Sequence, residues 1–348
     1  MNYDHVCIES CTYVLPEEVV TSEAIEQRLR PVYERFSVHE GRLELMSGIR
    51  ERRFFAPGTP PSEGSTQVGR LALDSAGVLP EQIECLLHTS VSRDFLEPAT
   101  AAVVHDNLSL SPTAMVYDIS NACLGFLNGM INLANMIELG QVKRGLVVAC
   151  ESGRQLVETT IQRLLSTKDL SRRQFKAAFA SLTIGSGAAA AVMAHESVSQ
   201  TGHRLLGGTV RTATEHNGLC RGSADTGFAN NASMDMSTDA ETLLISGCAL
   251  AVDAFESFKT NLGWTSDTID RSFCHQVGRA HRDRMYESLG LDLAKDYSTF
   301  EFLGNVGAAS VPITLALGVE QRPPDPGSAI ALLGIGSGLN TVMLGIDW

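Results

Sequence analysis

Residues 120–126 read Ser-Asn-Ala-Cys-Leu-Gly-Phe and join an extended apolar run to an apolar helix. The run, Ala114–Ile119, has strand character, and helical spacing follows over about Leu124–Leu139, with Gly140 placed to end the helix. A cysteine at such a junction, Cys123, lies beside the N–H groups of the helix start, where the helix dipole favours the thiolate. The stretch therefore predicts a nucleophile after a strand.

A single cysteine in apolar surroundings is, however, more often a small buried side chain than a nucleophile. The helix after Cys123 is apolar on several faces, which is typical of a buried helix. None of the other seven cysteines forms a Cys-x-x-Cys pair, and reduced, buried thiols are their expected state. The function of Cys123 must therefore be decided by other parts of the chain.

Composition limits the classes of function. The chain has 348 residues, of which 44% are hydrophobic, so it can bury a large core in two domains or one duplicated one. A net charge of −13 disfavours a nucleic-acid partner, and the nine histidines form no ligand-spaced cluster that would predict a metal site. No apolar run approaches the roughly 18 residues of a membrane span, and the first residues do not resemble a signal peptide, so a cytoplasmic protein is expected.

Strand-like runs alternate with helical patterns, as a layered α/β fold requires. The predicted strands form two similar sets. The first set comprises residues 84–89, 114–119, 145–150 and 187–194, and the second comprises residues 204–212, 271–275 and 329–335. This repetition favours two similar halves, residues 1–198 and 199–348. A long helix is expected near Asp239–Leu262, with a capping box formed by Thr238 and Glu241.

Each half has a strand that ends at a reactive residue. Ile119 leads to Cys123, and Phe273 leads to His275. Sites in layered α/β proteins form at the carboxyl ends of strands, so a duplicated fold is expected to bring both junctions to one cleft.

Four motifs then decide between the alternatives. They are Asn-Ala-Cys-Leu-Gly-Phe at 121–126, His-Gln at 275–276, Gly-Asn-Val-Gly-Ala-Ala-Ser at 304–310 and Gly-Ile-Gly-Ser-Gly at 334–338. With these motifs in this order, the chain resembles the thiolase superfamily and, within it, the 3-oxoacyl-ACP synthase III branch, which residues 48–53 also match. Residues 88–98 and 212–222 are most similar to the subgroup that joins two long-chain acyl-CoA molecules head to head. The resemblance implies a thiolase fold, which is a duplicated, layered αβαβα architecture with two pseudo-symmetric halves.

The resemblance also implies roles for these residues. Cys123 attacks an acyl-CoA thioester and stores the acyl group, while the backbone N–H groups of Cys123 and Ser337 hold the oxyanion. His275 and Asn305 donate hydrogen bonds to the oxygen of the second thioester. Taken alone, His275 also fits a satisfied core histidine, and Asn305 fits an N-cap of a helix through Leu317. The glycines at 334–338 give only a weak phosphate-loop signal, because a strand rather than a helix is expected to follow them.

Glu97 separates two chemistries. Condensing two saturated acyl chains requires a base to remove a proton from carbon, whereas a malonyl thioester forms its carbanion by losing carbon dioxide. A glutamate before a proline is more often a solvated turn residue. The resemblance of its loop to the head-to-head enzymes implies that Glu97 is the base and acts on the partner subunit's site in a dimer.

The expected function is therefore non-decarboxylative Claisen condensation of two long-chain acyl-CoA molecules, in a hydrocarbon or β-lactone pathway. No cofactor is expected, because CoA enters and leaves with the substrate. The alternatives are a decarboxylating synthase III that uses a malonyl thioester, and a subunit of a heterodimer that mainly supplies Glu97. Val277-Gly278 after His275-Gln276 and Met46-Ser47 before Gly48 depart from the synthase III pattern, which puts carrier-protein substrates in doubt.

Overall fold

The computed structural model describes residues 1–222 and 236–348. The strands are β1 (Val6–Val14), β2 (Glu18–Thr21), β3 (Glu51–Phe54), β4 (Cys85–His88), β5 (Met115–Asp118), β6 (Arg144–Glu151), β7 (Gly187–His195), β8 (Arg204–Thr212), β9 (Cys220–Gly222), β10 (Met236–Thr238), β11 (Arg271–Cys274), β12 (Ala329–Gly336) and β13 (Asn340–Asp347). The α-helices are α1 (Ser22–Arg28), α2 (Arg30–Phe36), α3 (Arg42–Ser47), α4 (Pro61–Ala76), α5 (Thr100–Leu108), α6 (Gly125–Glu138), α7 (Arg154–Ser166), α8 (Arg172–Leu182), α9 (Ala240–Leu262), α10 (Arg279–Leu289), α11 (Phe300–Leu303) and α12 (Ser310–Gln321).

The main sheet of the described residues has nine strands in the order β11-β12-β13-β8-β1-β7-β6-β4-β5. We divide this sheet into two wings at the point where β1 pairs with β8: one wing begins at β1 and the other at β8. From that point outward, the two wings have the same pattern of strand pairing. β1-β7-β6-β4 and β8-β13-β12-β11 both run through two antiparallel pairs and then a parallel pair. The first wing continues with β5, which is parallel to β4. The repeated pattern is that of a duplicated fold.

Helices occupy both faces of each wing. α6 and α12 lie between the wings, where their apolar side chains share one core with residues of both wings. On the outer faces, α4 and α5 cover the first wing, and α9 and α10 cover the second. Alternate residues of β7 belong to different cores: Ala189 and Ala191 face the inner helices, and Ala188 and Ala190 face the outer ones. The expected αβαβα thiolase architecture is therefore confirmed, whereas the division at residue 198 stays a prediction.

Some predictions of individual elements and residues are confirmed and others are wrong. α6 and β8 match their expected bounds to within one residue, and Gly140 follows α6 with a left-handed φ of +68°. The capping box of α9 is wrong, because Thr238 belongs to β10 and the Asp239 side chain caps the helix by accepting from Thr242 N. The expected burial of the seven other cysteines is wrong for Cys11 and Cys220, which are partly exposed.

A fourth apolar cluster forms away from the sheet, where α1, α2, α7 and α8 pack around β3. In the described part of the chain, no helix combines the length and the apolar character that crossing a bilayer requires.

Candidate active site

Cys123 lies in a tight turn between β5 and α6. Leu124 N donates to Asn121 O (2.9 Å) and Gly125 N donates to Ala122 O (3.2 Å), so the backbone reverses at the cysteine. Ala122 adopts a φ of +46°, which is strained for a residue other than glycine and is typical of functional turns. The turn thus holds the half-buried thiol at the start of a buried helix.

The electrostatic surroundings of Cys123 contradict the sequence expectation of a resting thiolate. Burial raises the pKa of the Cys123 thiol to about 12, and the negative charge of Glu151 adds to this effect. The N–H groups of Leu124 and Gly125, at the start of the helix, are already bonded within the turn. Desolvation therefore outweighs the helix dipole, and Cys123 is a protonated thiol at physiological pH.

His275 is positioned by an extension of the β11–β12 ladder, because its N–H donates to Leu333 O (2.9 Å). The side chain is only 3% exposed, and no residue of the described chain bonds to its Nδ1. Burial, aided by the neighbouring His281, lowers the pKa of His275 to about 3. The imidazole is therefore neutral at physiological pH.

Gln276 ties this histidine to the segment that carries Asn305. Its side-chain Oε1 accepts from Thr299 N (3.0 Å) and Phe300 N (3.2 Å) at the start of α11. α11 ends at Leu303, and a Cβ on the next residue, Gly304, would lie 2.5 Å from Thr183 O, so only glycine fits this close approach. The residue after His275 thus fixes the entry of the chain into the Asn305 turn.

The backbone of Asn305 is bonded to the loop after α8, through Asn305 N to Thr183 O (3.0 Å) and Gly185 N to Asn305 O (2.9 Å). Its side-chain Oδ1 accepts from Gly307 N (3.0 Å), which leaves the Nδ2 side of the amide as the donor for a ligand. The expected helix from Asn305 through Leu317 is corrected: a 3₁₀ turn at Gly307–Ala309 precedes α12.

The motif segments converge on the first turn of α6. Cβ atoms built at Gly334 and Gly336 would lie 2.7 and 2.9 Å from Leu124 side-chain atoms, and one at Gly125 would lie 3.5 Å from Ala308 Cβ. The strand β12 that carries Gly334 is also the strand to which His275 is bonded. The segments of Cys123, His275, Asn305 and Ser337 therefore meet at one end of the inner helix layer.

Ser337 lies in the turn between β12 and β13, and its carbonyl accepts from Asn340 Nδ2 (3.1 Å). The glycine motif around it leads into a strand, as expected. No helix start follows it that would bind a phosphate. Its backbone N–H as an oxyanion donor stays a prediction, as do the catalytic roles of the other four residues.

Glu97 is exposed in the single chain, at the tip of a loop whose two ends are fixed. Asp94 is buried and accepts from Ser62 N (2.9 Å), and Asp118 accepts from the first N–H groups of α5 at Thr100 and Ala101 (2.9 and 2.8 Å). The two ends of the loop are thus held by hydrogen bonds, and Glu97 at its tip is not buried against the core of its own chain.

Apolar side chains surround this loop. Leu96 is 66% exposed, and Met115, Val116 and Tyr117 of β5, the outermost strand of the first wing, are also exposed. β5 ends at Asp118, which caps the helix that follows the Glu97 loop, so the strand and the loop are neighbours. An unpaired strand edge beside exposed apolar residues is typical of a protein interface.

Sequence reasoning missed Glu151. It is the last residue of β6, is only 6% exposed and influences the pKa of Cys123. The sequence could have pointed to Glu151, because it is a charged residue at the carboxyl end of an otherwise apolar strand.

Comparison with known proteins defines the class. Residues 117–213 match the family model described as 3-oxoacyl-[acyl-carrier-protein (ACP)] synthase III, and residues 260–348 match the model for the C-terminal part of that family. Together with the fold, these matches identify the chain as a thiolase-superfamily acyltransferase of the synthase III type.

Two relatives define the family more narrowly. Acyl-CoA:acyl-CoA alkyltransferases from Shewanella oneidensis and Xanthomonas campestris pv. campestris are 39% and 40% identical to this chain, and each match covers 100% of both chains. A crystal structure of Xanthomonas campestris OleA with bound cerulenin has a TM-score of 0.94 at 40% identity, and the match covers 100% of this chain and 98% of that one. The chain belongs to the acyl-CoA:acyl-CoA alkyltransferase family.

Proposed function

We propose that this protein joins two long-chain acyl-CoA molecules by non-decarboxylative Claisen condensation. The observation that carries the proposal is the convergence of the Cys123, His275 and Asn305 segments on the first turn of α6, in a chain of this family. The product is a 2-alkyl-3-oxoalkanoate, which suits a hydrocarbon or β-lactone pathway. CoA takes part only as a piece of the substrate.

Acylation comes first. The neutral imidazole of His275 accepts the proton of the Cys123 thiol, whose pKa of about 12 keeps it protonated at rest. The sulfur attacks the thioester carbonyl, the oxyanion is held by the N–H groups of Cys123 and Ser337, and the C–S bond to CoA breaks. The leaving CoA sulfur takes the proton from His275, which returns to its neutral form with one N–H donor.

Condensation follows at the same site. A base removes a proton from the α-carbon of a second acyl-CoA, and the His275 N–H and Asn305 Nδ2 stabilise the resulting charge on its thioester oxygen. The carbanion attacks the acyl-Cys123 carbonyl, and the cysteine sulfur leaves as a thiolate. The thiolate takes up a proton and the base gives up the one it removed, so both groups return to their starting forms. Hydrolysis of the remaining CoA thioester by water then gives the β-keto acid and free CoA.

The base is Glu97, supplied by a second copy of the chain. The single chain leaves Glu97 exposed among apolar residues of the loop and of β5, and a second copy on this surface would bury both. We therefore propose a homodimer, which light scattering of the purified protein would test by its mass.

The test is incubation with one long-chain acyl-CoA as the only substrate. We expect release of CoA and formation of the β-keto acid, or of the ketone left when that acid decarboxylates. The matched control is Cys123→Ala, which should form neither. Product that appears only when malonyl-CoA is added would favour a decarboxylating synthase, and an unmodified Cys123 by mass spectrometry would favour a bystander subunit of a heterodimer.

A further inference from the structure

The carboxylate of Glu151 receives four hydrogen bonds from two separate loops. Oε1 accepts from Val91 N (2.9 Å) and Ala308 N (3.1 Å), and Oε2 accepts from Ser92 N (3.1 Å) and Ser92 Oγ (2.9 Å). A buried carboxylate is held in place by such charge-assisted bonds and in turn fixes their donors. Glu151 is therefore the point at which the two loops are joined.

One of the two loops carries the proposed base. Val91 and Ser92 begin the loop whose tip bears Glu97, and its far end is fixed by Asp118. Because the tip is exposed, its position relative to the rest of the chain depends on these two attachments. Glu151 supplies the attachment at the start of the loop.

The other loop carries Asn305, the proposed hydrogen-bond donor to the second thioester in the site of the same chain. Ala308 lies in the 3₁₀ turn whose first residue, Gly307, binds the Asn305 side chain. A Cβ built at Gly307 would lie 3.0 Å from Glu151 Oε1, and the φ of this glycine is +53°, so the turn needs glycine to approach the carboxylate. Glu151 thus holds the turn that follows Asn305 in its position near the start of α6.

We infer that Glu151 is a positioning residue that couples the two active sites of a dimer. It holds Asn305 for the site of its own subunit and, through residues 91–92, holds the loop that delivers Glu97 to the partner's site. This inference rests on the proposed function, because it requires Glu97 to act across the dimer interface.

Glu151→Gln is the informative substitution because it keeps the size of the side chain. The amide nitrogen cannot accept a hydrogen bond, so whichever way the amide points, one pair of donors loses its acceptor. Only Ser92 Oγ can reverse its role and accept from that nitrogen. The variant therefore loosens the junction of the two loops without opening a cavity.

The experiment uses heterodimers purified through two different tags. One subunit carries Cys123→Ala and the other carries Glu97→Gln, so each dimer has a single complete site, with Cys123 from the second subunit and Glu97 from the first. Adding Glu151→Gln to the first subunit tests delivery of Glu97, and adding it to the second tests the Asn305 turn. Product from one long-chain acyl-CoA is measured.

We expect Glu151→Gln in either subunit to lower kcat roughly tenfold or more, with KM for acyl-CoA changed less than twofold, because a small misplacement of reacting groups is costly. An unchanged kcat, or a fall from one side only, would overturn the coupling. A parent heterodimer that makes no product would instead refute the action of Glu97 across the interface.

Glu26→Gln is the matched control. Glu26 is also a buried carboxylate, accepting from Leu43 N (2.6 Å) and Tyr33 OH (3.0 Å), but it lies in the cluster around β3. It should lower the melting temperature to a similar extent and leave kcat unchanged. If Glu151→Gln prevents assembly, Ser92→Ala replaces it. We then expect kcat to fall several-fold when Ser92→Ala is in the first subunit and to stay constant when it is in the second. Equal effects from the two subunits would contradict the inference.

Discussion

The protonation states of Cys123 and His275 decide how the proposed reaction can begin. Burial and Glu151 raise the pKa of Cys123 to about 12, and burial lowers the pKa of His275 to about 3, so the resting pair is a thiol and a neutral imidazole. A thiolate–imidazolium pair would need the opposite shifts. In the proposed mechanism the thiol proton therefore leaves as the sulfur bonds to the thioester carbonyl, because its transfer to an imidazole of such low pKa is unfavourable before that bond forms.

Alkylation by iodoacetamide tests this pair. Since only the thiolate reacts, the rate at Cys123 should rise about tenfold for each pH unit from 7 to 9.5, without a plateau. The peptide that contains Cys123 is followed by mass spectrometry, and the partly exposed Cys220 serves as a reference thiol. A rate that levels off below pH 8 would show that an ion pair forms at rest.

The proposed base makes a prediction of its own at the residue scale. Glu97→Gln keeps the shape of the loop tip but cannot accept a proton, so Cys123 should still be acylated while carbon–carbon bond formation falls at least a hundredfold. Intact-protein mass spectrometry measures the acyl-enzyme, and product analysis measures condensation. The control is Glu81→Gln, another exposed glutamate on the same half; condensation by the Glu97 variant at the rate of this control would rule Glu97 out.

At the scale of elements, the start of α6 is fixed by how closely it approaches Thr89, the residue directly after β4. A Cβ at Gly125 would lie 2.1 Å from the Thr89 carbonyl oxygen, so a larger residue must push the helix and the Cys123 turn away. We expect Gly125→Ala to lower the free energy of unfolding by roughly 1–3 kcal/mol and to abolish acylation. Gly140→Ala is the control: nothing lies within 4 Å of its Cβ, and its positive φ makes the loss only about 1 kcal/mol.

Denaturant unfolding and mass spectrometry of the acyl-enzyme separate these two outcomes. If Gly125→Ala were acylated as fast as Gly140→Ala, the position of α6 would not control the nucleophile.

The same elements show what could be predicted from sequence. Local patterns placed α6 and β8 almost to the residue. The ordered motifs predicted a shared site for Cys123, His275 and Asn305; their segments meet at the start of α6, and their catalytic roles stay a prediction. The left-handed Ala122 escaped prediction because nothing in a local pattern marks alanine for that conformation. Glu151 escaped it because its partners at 91–92 and 308 are brought close only by the fold. The dipole argument for Cys123 failed because sequence gives no measure of desolvation.

At the scale of the whole molecule, the packing of the fold keeps two histidines, His275 and His281, in their neutral forms. The pKa of His275 is lowered to about 3 and that of His281 to about 4, in both cases chiefly by burial. In the unfolded chain each returns to about 6.5. Below that pH the unfolded state binds protons that the folded state does not, so stability falls as pH decreases from about 6.5 toward 4.

His281→Gln isolates one part of this effect, because glutamine does not titrate and His281 is assigned no catalytic role. Each buried histidine should lower the free energy of unfolding by about 1.4 kcal/mol per pH unit below 6.5, so the variant should lose about 2 kcal/mol less than the parent between pH 7 and pH 5. Guanidinium unfolding of both proteins at the two pH values measures the difference and cancels the contribution of the other titrating groups. Parallel losses of stability would mean that His281 takes up a proton in the folded protein as readily as in the unfolded chain.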